Sequence, residues 1–258
     1  MSASSITEDN LIPLVKSYNV LLPTRELRKL VKTIFAELKI DSLERYDLHK
    51  LINETILRNY NGEVKIKALL VNHFIRDNAV SCFEIKADKS RLDYLRINGA
   101  SISYEIKSEL DNLIKLEKQI NDYSKLFEYN YIVIHSNHLK NAKEIIPKNY
   151  GIVNITKNKF IIEKEARLNK NIDPLKQIEL LTKKEIKKAF GIDKEESNKI
   201  IKKFKKKEIN LIFKEALKKR YIKKWSFLVD NKETILPIDY QFFFQNNILP
   251  EIIYGKIN

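Results

Sequence analysis

The chain has 258 residues, enough for one core with helical attachments or for two small domains. Lys and Arg outnumber Asp and Glu by 48 to 34, and the formal net charge of +14 points to a polyanionic partner, because an AT-rich codon bias would enrich Glu along with Lys. The single cysteine, Cys82, excludes an intramolecular disulfide and suggests a reducing compartment; no stretch reaches the length of a membrane span or has the build of a secretory leader, so a cytoplasmic chain with no membrane partner is expected.

Residues 1–61 read as a helical region. An apolar-periodic run from Leu27 through Leu30, Val31, Ile34 and Phe35 to Leu38 follows Pro23-Thr24, with Thr24 as its cap. A second helix is expected from Asp41, where Asp41-Ser42-Leu43-Glu44 has capping-box spacing, and it ends at Asn61-Gly62. A packing role for this pair outweighs a DNA-reading helix-turn-helix. Ile66 to Ile75 then reads as a helix and Ala79 to Lys86 as a strand, with Cys82 as an inert core residue.

Arg91 to Ile97 and Ala100 to Lys107 are β-rich runs on either side of Asn98-Gly99, a strong hairpin signal. With a three-residue loop Asp93 and Glu105 face each other; with a two-residue loop they are offset by one. Strand alternation sets Glu105 and Lys107 on one face and Tyr104 and Ile106 on the other. Converging carboxylates call for a cation, and Mg²⁺ or Mn²⁺ suits one or two carboxylates with retained waters; a neighbouring lysine can orient a water or balance charge on a phosphate. The competing reading is a solvent-facing edge hairpin with ordinary charges. Ser108 is expected to cap a helix starting immediately, with Asp111, Lys115, Gln119 and Tyr123 as a polar ridge at steps of four and Leu110, Leu113, Leu116, Ile120 and Phe127 on its apolar side.

Tyr129 to His135 reads as a buried strand, and Gly151 to Thr156 with Phe160 to Glu165 as a hairpin around Asn158. His135 and His138 lack further Cys or His neighbours, so a structural or phosphate-touching role for His138 is favoured over zinc. Asp173-Pro174 starts a helix and Gly191 stops it; a second follows Asp193 and a third runs from about Ile209 to Lys224. From Lys183 to Lys224 there are 17 Lys or Arg against 6 Asp or Glu, a face suited to tracking phosphates through Lys183, Lys184, Lys187, Lys188, Lys202, Lys203, Lys205, Lys206 and Lys207. The alternative there is a solvated charged surface. Trp225 to Val229 reads as a strand or buried anchor, and the Phe- and Tyr-rich tail from Pro237 to Tyr254 is expected to pack, on the chain itself or in a homodimer or partner contact.

Asp93, Glu105-x-Lys107 and Gln119-x-x-x-Tyr123 together resemble the PD-(D/E)XK nuclease superfamily, in particular an uncharacterised bacterial branch. Its pattern runs on here through Arg91, Ser108, Asp111, Leu113, Leu116, Ile132 to Ile134, His138-Leu139, Pro147, Gly151-Ile152 and Asp173-Pro174-Leu175. The resemblance covers about residues 63–190 and implies an α/β (α+β) fold with a restriction-endonuclease-like αβββαβ core and mixed sheet. That core is expected at 62–168, flanked by the N-terminal helices and by a basic helical region and tail at 169–258 with SAP-like character. It further implies a metal-dependent nuclease, on DNA in preference to RNA. Asp93, Glu105 and the Ile106 carbonyl would hold Mg²⁺ or Mn²⁺, Lys107 would position the attacking water, and Gln119, Tyr123 and Lys115 would orient Lys107 or grip the strand. The family's acidic residue early in the first core helix is replaced here by Lys65, so that either Glu63, two residues earlier, substitutes for it or the site uses fewer ligands; Glu84 and Asp111 are further candidates. A non-catalytic nucleic-acid-binding or regulatory protein is the alternative, and host defence, phage or mobile-element function, repair and toxin activity are all compatible settings.

Overall fold

A computed structural model describes residues 8–156 and 159–255. Their contacts divide the chain into two units, one built from the residues up to Val71 together with those from Ser226 onward, the other from Asn72–Trp225.

The first unit is helical. Its N-terminal part holds α1 (Glu8–Ser17), α2 (Thr24–Ile34), α3 (Arg45–Asn59) and the opening turns of α4 (Glu63–Phe74). Leu27, Val31 and Ile34 follow the helical repeat and bury one side of α2 against Leu11, Leu14, Leu48, Ile52 and Ile56. Two expected bounds change. α2 stops at Ile34, leaving Leu38 outside it. α3 begins at Arg45 and not at Asp41: Asp47 accepts the Glu44 N–H at 3.2 Å, so the reciprocal cap sits three residues later than the sequence suggested, after a turn in which Leu43 N–H bonds to the Ile40 carbonyl.

The C-terminal part of this unit comprises the end of α10 (Lys206–Asp230), then α11 (Tyr240–Asn246) and α12 (Pro250–Tyr254). Trp225 to Val229 is helix, the continuation of α10, and not a strand; Trp225 and Leu228 are nonetheless buried, as an anchor should be. The tail packs: Phe243, Phe244 and Tyr254 are buried, and the buried Asp239 carboxylate accepts Tyr254 OH at 2.7 Å, Tyr18 OH at 3.0 Å and Asn53 Nδ2 at 3.2 Å.

The second unit is mixed α/β. α4 leads into β1 (Val80–Ala87), β2 (Ser90–Asn98), β3 (Ala100–Lys107), α5 (Leu116–Ser124) and β4 (Tyr129–His135), followed by α6 (Leu139–Ile145), β5 (Gly151–Thr156) and β6 (Lys159–Lys164). This is the αβββαβ order. The six strands lie in sequence order in one sheet; β1–β2, β2–β3 and β5–β6 are antiparallel, whereas β3–β4 and β4–β5 are parallel, so the sheet is mixed. The two parallel steps are the ones bridged by helices, α5 and α6, because parallel neighbours need a crossover. β5 and β6 pair as a hairpin, whose expected turn at Asn158 lies outside the described residues.

Asn98 pairs with Ala100 across Gly99, whose φ of +71° is a conformation that glycine adopts without strain. That one-residue step sets the register at Tyr94 opposite Tyr104, and one position further it brings Asp93 opposite Glu105. The basic region is α7 (Pro174–Leu180), α8 (Lys183–Phe190), α9 (Ser197–Lys203) and the first part of α10. The single helix expected from Asp173 to Gly191 is thus two, broken at Leu181-Thr182, where Thr182 and Glu185 form a capping box.

Candidate functional site

The site lies at the end of β3, where strand alternation aims Glu105 and Lys107 to one face and α5 crosses that same face. Glu105 is 1% exposed, and a carboxylate so buried requires donors. It has three. Lys107 Nζ donates to Oε1 at 2.8 Å, Gln119 Nε2 donates to the same oxygen, and Tyr123 OH donates to Oε2 at 2.7 Å. Gln119 and Tyr123 are one turn apart on α5, the i, i+4 spacing that puts both on its sheet-facing side. Tyr123 OH also reaches the Arg91 carbonyl at 3.1 Å, and Ser90 Oγ donates to Asp122 at 2.7 Å, so α5 is tied to β2 as well as β3. Burial, and then the Glu105 carboxylate beside it, pushes the Tyr123 phenol far above its ordinary value. Tyr123 therefore acts here as a fixed donor and not as a base.

Asp93 approaches from β2. Its Oδ2 accepts the Ile106 N–H at 2.7 Å, the side chain standing in for a ladder partner where the β2–β3 pairing stops. Glu84, on β1 across from Asp93, has φ +54°, a left-handed backbone inside a strand, and the pair drops out of an otherwise continuous β1–β2 register. Such strain costs on the order of 1–3 kcal/mol and gathers at functional sites. Carboxylate oxygens of Glu84 and Asp93 lie within 4.8 Å of one another, and the Arg91 guanidinium pairs with Glu84. Asp93, Glu84, Glu105 and Lys107 thus meet at one end of three adjacent strands, with Gln119 and Tyr123 above. The donor set is hard oxygen, which fits Mg²⁺ or Mn²⁺ and not a soft metal.

Asp111 and Lys115 fall outside this group. α5 begins at Leu116 and not after Lys107, so Asp111 and Lys115 are not on its polar ridge, nor Leu110 and Leu113 on its apolar side. Asp111 closes a turn by accepting Ser108 N–H at 2.8 Å and Ser108 Oγ at 2.6 Å; these local bonds compete with a helix start at Ser108. Lys115 is the exposed residue before the helix. Glu63 opens α4 in the first unit and pairs with Lys67, while the buried Lys65 donates to Asn61 Oδ1 at 3.2 Å. His138 contacts the Glu109 carbonyl at 3.3 Å and His135 lies 3.8 Å from the Glu109 carboxylate. Cys82 is fully buried, and burial raises its thiol well above the ordinary value, in keeping with an inert core residue.

The nine lysines of the basic helices are all exposed. Lys183 and Lys187 pair with Glu195 and Asp193; among the described residues Lys184, Lys188, Lys202, Lys203, Lys205, Lys206 and Lys207 have no carboxylate within 4 Å. Sequence reasoning missed Arg91 as the partner of Glu84, although its place two residues before Asp93 on a strand sets it on the Asp93 face.

The bacteriophage P4 protein cII family model matches residues 57–243, well over half of the chain. The chain belongs to the P4 cII family. The match runs from the end of α3 to α11 and so takes in the whole carboxylate site and the basic helices. No curated protein matches the chain. Among solved structures, a protein of unknown function from Silicibacter pomeroyi, SPO1766, is 18% identical over 42% of this chain and 73% of its own, with a TM-score of 0.33.

Proposed function

We propose that this P4 cII family member is a divalent-metal-dependent nuclease of the PD-(D/E)XK, restriction-endonuclease-like type, hydrolysing phosphodiester bonds in DNA in preference to RNA. The observation that carries the reading is the Glu105-x-Lys107 pair at the end of β3, gripped by Gln119 and Tyr123 from α5 and flanked by Asp93 on β2. A buried carboxylate and ammonium 2.8 Å apart are costly to assemble, and replacing such a pair by apolar residues is often neutral or stabilising, so stability alone does not account for it.

Asp93 and Glu105, with the Ile106 carbonyl and Glu84 as further ligands, would hold Mg²⁺ or Mn²⁺. The ion would neutralise charge on the phosphate being attacked. Lys107 would hold the attacking water by one of its protons while Glu105 Oε1 takes another. Gln119 and Tyr123 deny Glu105 rotation, so Lys107 keeps its aim. The seven lysines without carboxylate partners supply affinity for phosphates without base reading. A nucleic-acid-binding protein without catalysis is the second reading, and one feature favours it: both Glu105 oxygens are already engaged by protein donors.

Cleavage of single- and double-stranded DNA, linear and circular, in Mg²⁺, Mn²⁺ or EDTA is the test. Metal-dependent cutting that falls at least ~100-fold in both Asp93→Ala and Lys107→Ala supports the nuclease. A folded wild type that binds DNA but never cuts it favours the second reading.

A further inference from the structure

We infer that a cleft at the root of α10, remote from the carboxylate site, is a second nucleic-acid subsite that seats one nucleotide of a single strand. This deepens the nuclease reading, sharing Lys206 and Lys207 with its phosphate-binding lysines but none of the carboxylate-site residues. The cleft has a volume of about 650 Å³, within the range of small-ligand pockets, and Leu168, Ile172 and Leu211 give it apolar walls. Leu168 and Leu211 are more than half exposed, an unusual state for two leucines that share one cleft.

Its charge is one-sided. Lys170, Lys206, Lys207 and Lys214 line it, with Glu128 as its one acidic residue. Glu128 is already committed: it accepts Lys214 Nζ and Asn210 Nδ2 on one oxygen and the Ser101 N–H on the other. Among the described residues Lys170, Lys206 and Lys207 have no carboxylate within 4 Å, Lys206 Nζ donating instead to the Lys170 carbonyl at 3.2 Å, so three lysines without acidic partners line an apolar floor. A nucleotide has the matching build, with phosphates for the lysines and a base and sugar for the leucines. Without an aromatic platform the contact with the base would be weak and indifferent to sequence.

The place of the cleft suits a strand that also reaches the metal site. Lys214 Nζ donates to the Gly99 carbonyl at the β2–β3 turn, and Ser101 Oγ accepts the Glu128 N–H at 3.0 Å. Ser101 and Glu105 share one face of β3, so the cleft and the site lie on that face at opposite ends of the strand. Six residue steps of strand from Gly99 to Glu105 span roughly 20 Å, or about six nucleotides at the ~3.4 Å spacing of a stacked strand.

The test is fluorescence anisotropy of labelled single-stranded oligonucleotides of 4, 12 and 20 nucleotides in EDTA, so that no cleavage is needed. The proteins compared are the full wild-type chain, the double variant Lys170→Glu with Lys207→Glu, and Asp93→Asn. Both lysines are exposed, so the double variant should fold, which circular dichroism verifies. We expect it to lose at least tenfold in affinity for the 20-mer. The slope of log affinity against log salt should fall by about 1.4, two phosphate contacts at roughly 0.7 each for single strands. Duplex affinity should fall less. Unchanged affinity and slope for the single strand overturn the subsite, whether or not the protein cuts DNA. An equal loss for heparin or for anionic vesicles assigns the cleft to a generic polyanion and overturns it too. Retained binding loss in a protein that never cleaves leaves the subsite standing and removes only the nuclease.

Discussion

Glu84 and Tyr123 are the two residues whose conformations say most about the site. Glu84 holds φ +54° in the middle of β1, where any residue with a Cβ is strained. Glycine normally weakens a strand; here Glu84→Gly is expected to be more stable than Glu84→Ala by about 1 kcal/mol, because only glycine is at ease with that backbone. Chemical denaturation of the two variants decides it, and the reverse order would mean that the backbone relaxes once the carboxylate is gone. From full burial Tyr123 shares its one hydroxyl proton between Glu105 at 2.7 Å and the more distant Arg91 carbonyl at 3.1 Å. Tyr123→Phe keeps the ring and leaves both acceptors short of a donor, a loss of about 1–3 kcal/mol in stability. If Tyr123 also fixes Glu105 for catalysis, the same variant lowers kcat with KM nearly unchanged.

At the scale of elements, hydrogen bonds at the ends of helices decided what periodicity could not. The run from Asp173 to Gly191 has one continuous apolar repeat, yet Thr182 and Glu185 cap a new helix inside it, with Thr182 Oγ1 accepting the Glu185 N–H at 3.3 Å. The Thr-x-x-Glu signal was there to be read. Thr182→Ala should cost about 1 kcal/mol, seen as a lower melting temperature. Likewise Ser108 and Asp111 spend their hydrogen-bonding groups on a turn, so α5 starts seven residues late and loses Asp111 and Lys115 from its polar ridge. Gln119 and Tyr123 survive as a pair because i, i+4 spacing holds wherever the helix starts.

Across the whole chain, the N-terminal helices and the C-terminal tail share one unit, joined through the buried Asp239 and its donors Tyr18, Asn53 and Tyr254. Burial raises the Asp239 carboxyl from 3.8 to about 6, against the opposing pull of those three hydrogen bonds. The sign follows from proton uptake. The folded chain binds this proton more tightly than the unfolded chain, so its contribution is full below pH 3.8 and is lost as pH rises through about 6. His49 runs the other way. Burial, and then Arg45, lowers it from 6.5 to about 3, so its contribution is present above pH 6.5 and is lost as pH falls towards 3. The two oppose each other between pH 4 and 6. Asp239→Asn should therefore expose the His49 slope, a steady loss of stability from pH 6.5 to 4 that wild type shows only weakly. Urea unfolding at several pH values measures this; parallel profiles for the two proteins would show that Asp239 does not titrate in the fold.

Sequence by itself determined what short-range rules govern: the β2–β3 hairpin about Gly99, β4 and β5 to the residue, the shared face of Glu105 and Lys107, and the shared face of Gln119 and Tyr123. Each of these follows from alternation, helical spacing or a glycine turn within some thirty residues. Tertiary structure decided the rest. Whether Asp93 and Glu105 face each other depended on the one-residue step at Gly99 that composition left open, and Glu84 came to Asp93 through the pairing of β1 with β2. The joining of Tyr18 and Asn53 to Asp239, some two hundred residues away along the chain, is written in no local pattern. Those contacts form because a buried carboxylate must find donors, and only the folded chain determines which donors are within reach.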